Sequence, residues 1–173
     1  MVFVPTGAMG GGQPVKDPKQ AVNVSRVIVG AMMLAVAAFA VVAEFVLKGK
    51  ATTSGLSPDL LLGIAGMLLL SGAAAGTFIP ATIMARALEK AKGKEEKEVA
   101  SLVAQAYLSG CVLRAAMLEG PGLFGAVAVL MTGNSLGLLV AGAALAIMLA
   151  TFPSHDRLVR HVEKAMGRSV TVS

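Results

Sequence analysis

Residues 111–131 read CVLRAAMLEGPGLFGAVAVLM. The stretch is long enough to cross the roughly 30 Å hydrocarbon core of a bilayer as a helix. It contains two charged residues, Arg114 near its start and Glu119 near its middle, and it is broken by Gly120-Pro121-Gly122. A run this apolar on all faces predicts a membrane span rather than a surface helix.

Reading outward, TGNS at 132–135 is a tight polar turn, and Ser135–Phe152 (SLGLLVAGAALAIMLATF) predicts a further span ended by Pro153. Upstream, EEKEVASLVAQAYLSG leads into Cys111 with acidic residues first, as a helix N-terminus favours. Its Val99, Leu102, Val103 and Ala106 recur at helical spacing. Before it, Leu60–Pro80 predicts a span that continues through ATIMARALEKAKGK, a run of good helix formers, to the breaker Gly93. Pro80 is expected to kink that helix. The first span covers about 27–47, bounded by Arg26 and by Glu44 and Lys48.

The expected fold is an all-α membrane protein. It is a four-transmembrane-helix bundle (spans about 27–47, 60–80, 111–131 and 135–152) with a cytoplasmic helical hairpin extension over about 81–110. Residues 1–22, rich in Gly and Pro and poor in apolar content, are expected to form a flexible cytoplasmic tail. They lack the basic start and long apolar run of a signal peptide. Residues 23–153 form the bundle region. Residues 154–173 are expected to hold an amphipathic basic helix with Ser154 as N-cap.

Composition agrees. The 173 residues are 55% hydrophobic with mean hydropathy +0.76, and 14% are charged against about 25% in soluble domains. The net charge of +5 falls in blocks between apolar runs, and aromatic residues are scarce. Topology-setting charge therefore explains the basicity better than nucleic-acid binding. The N-tail holds Lys16, Lys19 and Arg26. The middle loop holds Arg86, Lys90, Lys92, Lys94 and Lys97, and the C-tail holds Arg157, Arg160, Lys164 and Arg168. The remaining two loops hold only Lys48 and Lys50. This asymmetry places both termini and the hairpin in the cytoplasm.

Glu119 is the sharpest functional candidate. On a span centred at residue 121 it lies about 3 Å from the midplane. A carboxylate there costs at least ~2.5 kcal/mol unless it is paired, protonated or beside water. Pro121 deprives the Met117 carbonyl of its usual donor, and a protonated Glu119 is one group that would satisfy it. The alternative role is proton or solute handling. Arg114 lies about 140° around the helix from Glu119. It is expected to reach headgroups rather than pair with it. Among groups in other spans, Ser71, Thr77 and Glu44 are candidates to face it, with Ser71 at suitable depth.

Gly72 and Gly76, with Gly63 and Gly66, form a small face for helix–helix packing within the bundle, or in a minority reading between copies. Arg157, Arg160 and Lys164 would meet lipid headgroups from the C-terminal helix, with Leu158, Val162 and Met166 on its apolar side. His155 and His161 are six apart with no ligand neighbours, so no metal is expected. No cofactor is implied. No nucleotide-binding or hydrolase motif is present, so no enzyme activity is expected. Cys111 is the single cysteine and forms no intrachain disulfide.

Three runs carry a resemblance: SRVIVGAMMLAVAAFAVV (25–42), LRAAMLEGPGLFGAVAVLMTGN (113–134) and LAIMLATFPSHDRLVRHVE (145–163). Together they resemble a family of small uncharacterised bacterial four-span membrane proteins. In that family Arg-x-x-x-Leu-Glu-Gly opens the third span and Phe-Pro-Ser/Thr closes the fourth. The resemblance implies a bacterial inner membrane and no activity. Locally, Leu118-Glu119 with Gly125 is similar to the proton-binding helix of F-type ATP synthase c subunits, which would make Glu119 a proton carrier. That family's Gly-x-Gly-x-Gly helix and Arg-Gln-Pro turn are not found here. The expectation is thus a non-enzymatic packing, interaction or assembly component whose partners are the lipid bilayer and a second copy or another membrane protein. The alternative is a proton-coupled transporter or channel component using Glu119.

Overall fold

The computed structural model describes residues 18–47 and 57–166. The elements are α1 (Pro18–Val42), a π-helical turn (Ala43–Leu47), α2 (Pro58–Ala91), α3 (Glu96–Thr132), α4 (Gly137–Ala150) and α5 (His155–Met166). The first 17 residues of the expected tail, the loop with Lys48 and Lys50, Arg168 and the Lys164 side chain lie outside what is described.

Local chemistry explains the ends. Ser57 caps α2, its hydroxyl accepting from the Leu60 amide at 3.2 Å, with Pro58 and Asp59 in the first turn. Gly93 turns the chain at φ 77°, and Glu96 and Glu98 open α3 against its dipole. Gly133 closes α3 at φ 68°, donating its amide to Val129 O at 2.8 Å. Pro80 and Pro121 both lie inside unbroken helices.

At 1.5 Å per residue, α2 and α3 are about 51 and 55 Å long. Both exceed the roughly 30 Å apolar core of a membrane. They run antiparallel with a steady register in which Gly72 meets Met117, Gly76 meets Arg114 and Pro80 meets Gly110. The α2–α3 contact is the most extensive of all, and α3 also touches α1, α4 and α5, so it is the central helix.

The buried residues form three layers along α3. One layer, at the hairpin, joins Met84, Val99, Val103 and Tyr107 to Val22, Leu158 and Val162. The middle layer is Val29, Ala115, Leu118 and Met148, and the third is Ala43, Ala126 and Val129. The outer surface is apolar as well: Val27, Leu34, Met67, Leu70, Phe78 and Leu139 are all exposed. A water-facing protein rarely shows apolar surface on this scale. Among the described residues, three helices are long and apolar enough to cross a membrane, or four if α4 and α5, bent by 55° at residues 151–154, count as one broken span.

Three expectations change. The expected tail extends too far: α1 begins at Pro18, with Ala21 and Val22 buried. The last apolar helix has 14 residues, shorter than Ser135–Phe152, because 135–136 belong to the turn and Thr151 ends the helix. The apolar side of α5 does not face lipid, because Leu158 and Val162 are 1% and 2% exposed within the hairpin layer. Amphipathic spacing shows that a face is buried, not against what.

Candidate functional site

Each proline inside α2 and α3 removes a backbone donor, and the structure pairs both vacated carbonyls across one interface. Pro80 cannot donate to the Gly76 carbonyl. The Arg114 Nε–H donates to it instead at 2.6 Å. Such a charge-assisted bond is roughly twice as strong as a neutral one. One turn along, Pro121 cannot donate to the Met117 carbonyl. Gly72 lies directly on that oxygen: a Cβ built at Gly72 would stand 2.3 Å from it. Only a glycine Cα–H fits there, a weak C–H···O contact.

Glu119 therefore does not satisfy Met117. It makes no hydrogen bond or ion pair with any described residue. It is half-exposed and shares a helix face by spacing with Ala115 and Gly122, both buried, while neighbouring Gly120 is exposed with nothing near its Cα. The residues considered as its partners are engaged elsewhere. Ser71 is exposed and folds its hydroxyl onto Leu68 O at 3.0 Å, and Thr77 donates to Ala74 O at 2.7 Å. Glu44, turned inward by the π turn, accepts the Ser135 hydroxyl on both oxygens at 3.1 Å. Arg114 is bound to Gly76 rather than reaching outward. Gly63 and Gly66 face open space, whereas Gly72, Gly76 and Gly122 are buried in helix contacts.

A second polar cluster holds the break between α4 and α5. Side chains reach three of its carbonyls. Arg157 Nη2 donates to Ala150 O at 3.0 Å, and Arg26 Nε donates to Pro153 O at 3.1 Å. The Tyr107 hydroxyl donates to Ser154 O and accepts from the Ser154 amide, both at 3.0 Å. Ser154 in turn caps α5 through the Arg157 amide at 3.4 Å. Irregular backbone near membrane depth persists only when protein groups satisfy it in this way. Arg160 is exposed.

Between this cluster and the Arg114–Gly76 contact lies a cleft of about 200 Å³. Pro80, Ala81, Met84 and Gly110 form its apolar side. Arg114, Arg157, His161, Tyr107, Thr151 and Cys111 form its polar side. The Tyr107 and His161 rings are 6.2 Å apart and tilted. The cleft was not apparent from the sequence. The available signal was that Pro80 and Pro153 each disturb a helix and so call for side-chain donors, and Tyr107 is the single tyrosine of the chain.

No protein-family model, curated protein or solved structure matches this chain. The two resemblances drawn from its motifs accordingly rest on those motifs alone. Fold and site together define an all-helical protein with helices suited to a membrane, in which Arg26, Tyr107, Arg114 and Arg157 reach backbone carbonyls near its proline-disturbed stretches.

Proposed function

We propose that this chain is a bacterial inner-membrane protein of four spans, with both termini cytoplasmic, that serves as a non-enzymatic assembly component. In this reading α3 presents Glu119 to another transmembrane chain. The orientation is supported by the twelve Lys and Arg residues in the tails and hairpin against two elsewhere. The fourth span is the stretch of about 135–152 built on α4, with α5 beyond it on the cytoplasmic side.

One observation carries the role. In the apolar stretches every other candidate polar side chain has a partner within the chain, and Glu119 has none among the described residues. A carboxyl near mid-bilayer is costly unless something covers it. Half-exposed beside the open Gly120, it is placed for a donor from outside the chain. A proton pathway would need a second polar group facing Glu119, and no described residue hydrogen-bonds or ion-pairs with it.

A photo-crosslinking residue at Gly120 tests the proposal in intact membranes. The expected result is a discrete protein adduct that is lost in Glu119→Leu and weakened in Glu119→Gln. Crosslinks to lipid alone, unchanged by either substitution, would falsify it. Proton flux in proteoliposomes that disappears with Glu119→Gln would establish the transporter reading in its place.

A further inference from the structure

We propose that the cleft between α2, α3 and α5 binds a phosphate group, carried by an anionic phospholipid headgroup or by a small soluble phosphoester. The cleft brings Arg114 of α3 and Arg157 of α5 into one space of about 200 Å³. Among the described residues no carboxylate lines it; Asp156 and Glu163 of α5 are not among its walls. Two guanidinium groups therefore share a concave site with no balancing acid in its described walls.

Both guanidiniums are already fixed. Arg114 uses Nε on Gly76 O, and Arg157 uses Nη2 on Ala150 O. Each has five N–H donors in a planar fork, so several remain beyond these single bonds. A planar fork matches phosphate oxygens in pairs. Anchoring the side chains beforehand removes much of the ordering cost of binding. Opposite them, Pro80, Ala81, Met84 and Gly110 supply apolar wall suited to the glycerol and first acyl carbons of a lipid. The mouth lies where Pro80 and Arg114 mark the edge of the apolar stretches of α2 and α3. In the proposed topology that edge is the cytoplasmic headgroup layer, where basic pockets between helices meet anionic lipid. The choice of leaflet rests on that topology; the binding itself does not.

Purified full-length protein in detergent is mixed with phosphatidylglycerol or phosphatidylcholine, and retained lipid is read by native mass spectrometry. A separate arm titrates glycerol 3-phosphate. Phosphatidylglycerol is expected to be retained over phosphatidylcholine. Arg157→Gln is expected to lower that retention about fivefold, the loss for one arginine near an anionic membrane. Arg86→Gln, exposed on α2 and outside the cleft, leaves it unchanged. Ala81→Phe, at an exposed wall position, fills the mouth and abolishes retention with both arginines intact. It keeps the test decisive if Arg157→Gln misfolds. Binding of glycerol 3-phosphate that these variants remove, without lipid selectivity, assigns the phosphate group to a soluble source. The proposal is overturned if both lipids are retained equally and glycerol 3-phosphate does not bind. It is also overturned if Ala81→Phe binds as wild type. These readouts do not depend on orientation, so a failure of the four-span topology, seen by cysteine labelling, stays separate.

Discussion

Gly72→Ala isolates the contact that sets the α2–α3 spacing. The new Cβ would stand 2.3 Å from Met117 O and 3.3 Å from its carbonyl carbon. A C···O contact needs about 3.3 Å, so α2 must withdraw by about 1 Å at this point. The oxygen cannot yield easily, because Pro121 Cγ, 3.4 Å from the same Cβ, fixes the next turn. One turn away, the 2.6 Å bond from Arg114 Nε to Gly76 O would lengthen by up to the same amount, past the usable range. Overpacking costs ~1–3 kcal/mol, and loss of a hydrogen bond to a charged group ~1.5–3 kcal/mol. Against this, Ala gains up to ~1 kcal/mol in helix propensity. A net loss of about 1.5–5 kcal/mol is expected. Gly66→Ala is the control: nothing lies within 4 Å of its Cβ, so stability should hold or rise by up to ~1 kcal/mol. Thermal unfolding of both variants in the same detergent reads the difference. If Gly72→Ala is as stable as Gly66→Ala, the close approach of the two helices is not what the glycine serves.

Tyr107→Phe removes the hydroxyl that bridges both backbone groups of Ser154 and should cost about 1–3 kcal/mol. Limited proteolysis should then cut near residues 151–154 faster than in wild type; equal rates would argue against the latch. Pro80→Ala restores a backbone donor to Gly76 O, so Arg114→Gln should cost less in that background than alone. A double-mutant cycle with coupling near zero would rule out carbonyl satisfaction as the role of Arg114. Ser135→Ala removes the hydroxyl that Glu44 accepts and should lower stability by about 0.5–1.5 kcal/mol, read by the same unfolding assay. With Cys111 replaced by Ser, a cysteine at Lys94 should stay unlabelled by an external impermeant reagent in intact cells, and external labelling would invert the proposed topology.

Long apolar runs made the helices legible, because a span must be apolar all round and few other structures are. Gly93 and Gly133 likewise marked real helix ends, as their positive φ shows. What the sequence concealed was partnership. The periodicity of α5 showed a buried face, but whether Leu158 and Val162 meet lipid or protein depends on how α4 bends at Pro153. Pro121 was read together with Glu119 because they are near in sequence. In space the vacated Met117 carbonyl meets Gly72, which is 45 residues away and chemically silent. Helix spacing did separate Arg114 from Glu119, yet it could not name Gly76 as the group Arg114 reaches. Start positions were hidden as well: the five residues before Asn23 are polar or small enough to read as tail, and become helical by packing Ala21 and Val22.

The polar groups of this chain divide in a way that bears on its role. Arg26, Tyr107, Arg114 and Arg157 each complete a carbonyl near a proline-disturbed stretch of backbone. Remove Arg26, Tyr107 or Arg114 and a part-buried backbone group loses its side-chain partner, at about 1–3 kcal/mol each. Their presence is accounted for by the fold itself. Glu119 completes nothing within the described chain, and a membrane span gains no stability from carrying it: leucine at that position would cost less in lipid. In the proposed function that penalty is offset by a donor on a second membrane chain. That inequality, rather than any motif, is what makes Glu119 a contact for a second membrane chain in the proposed function.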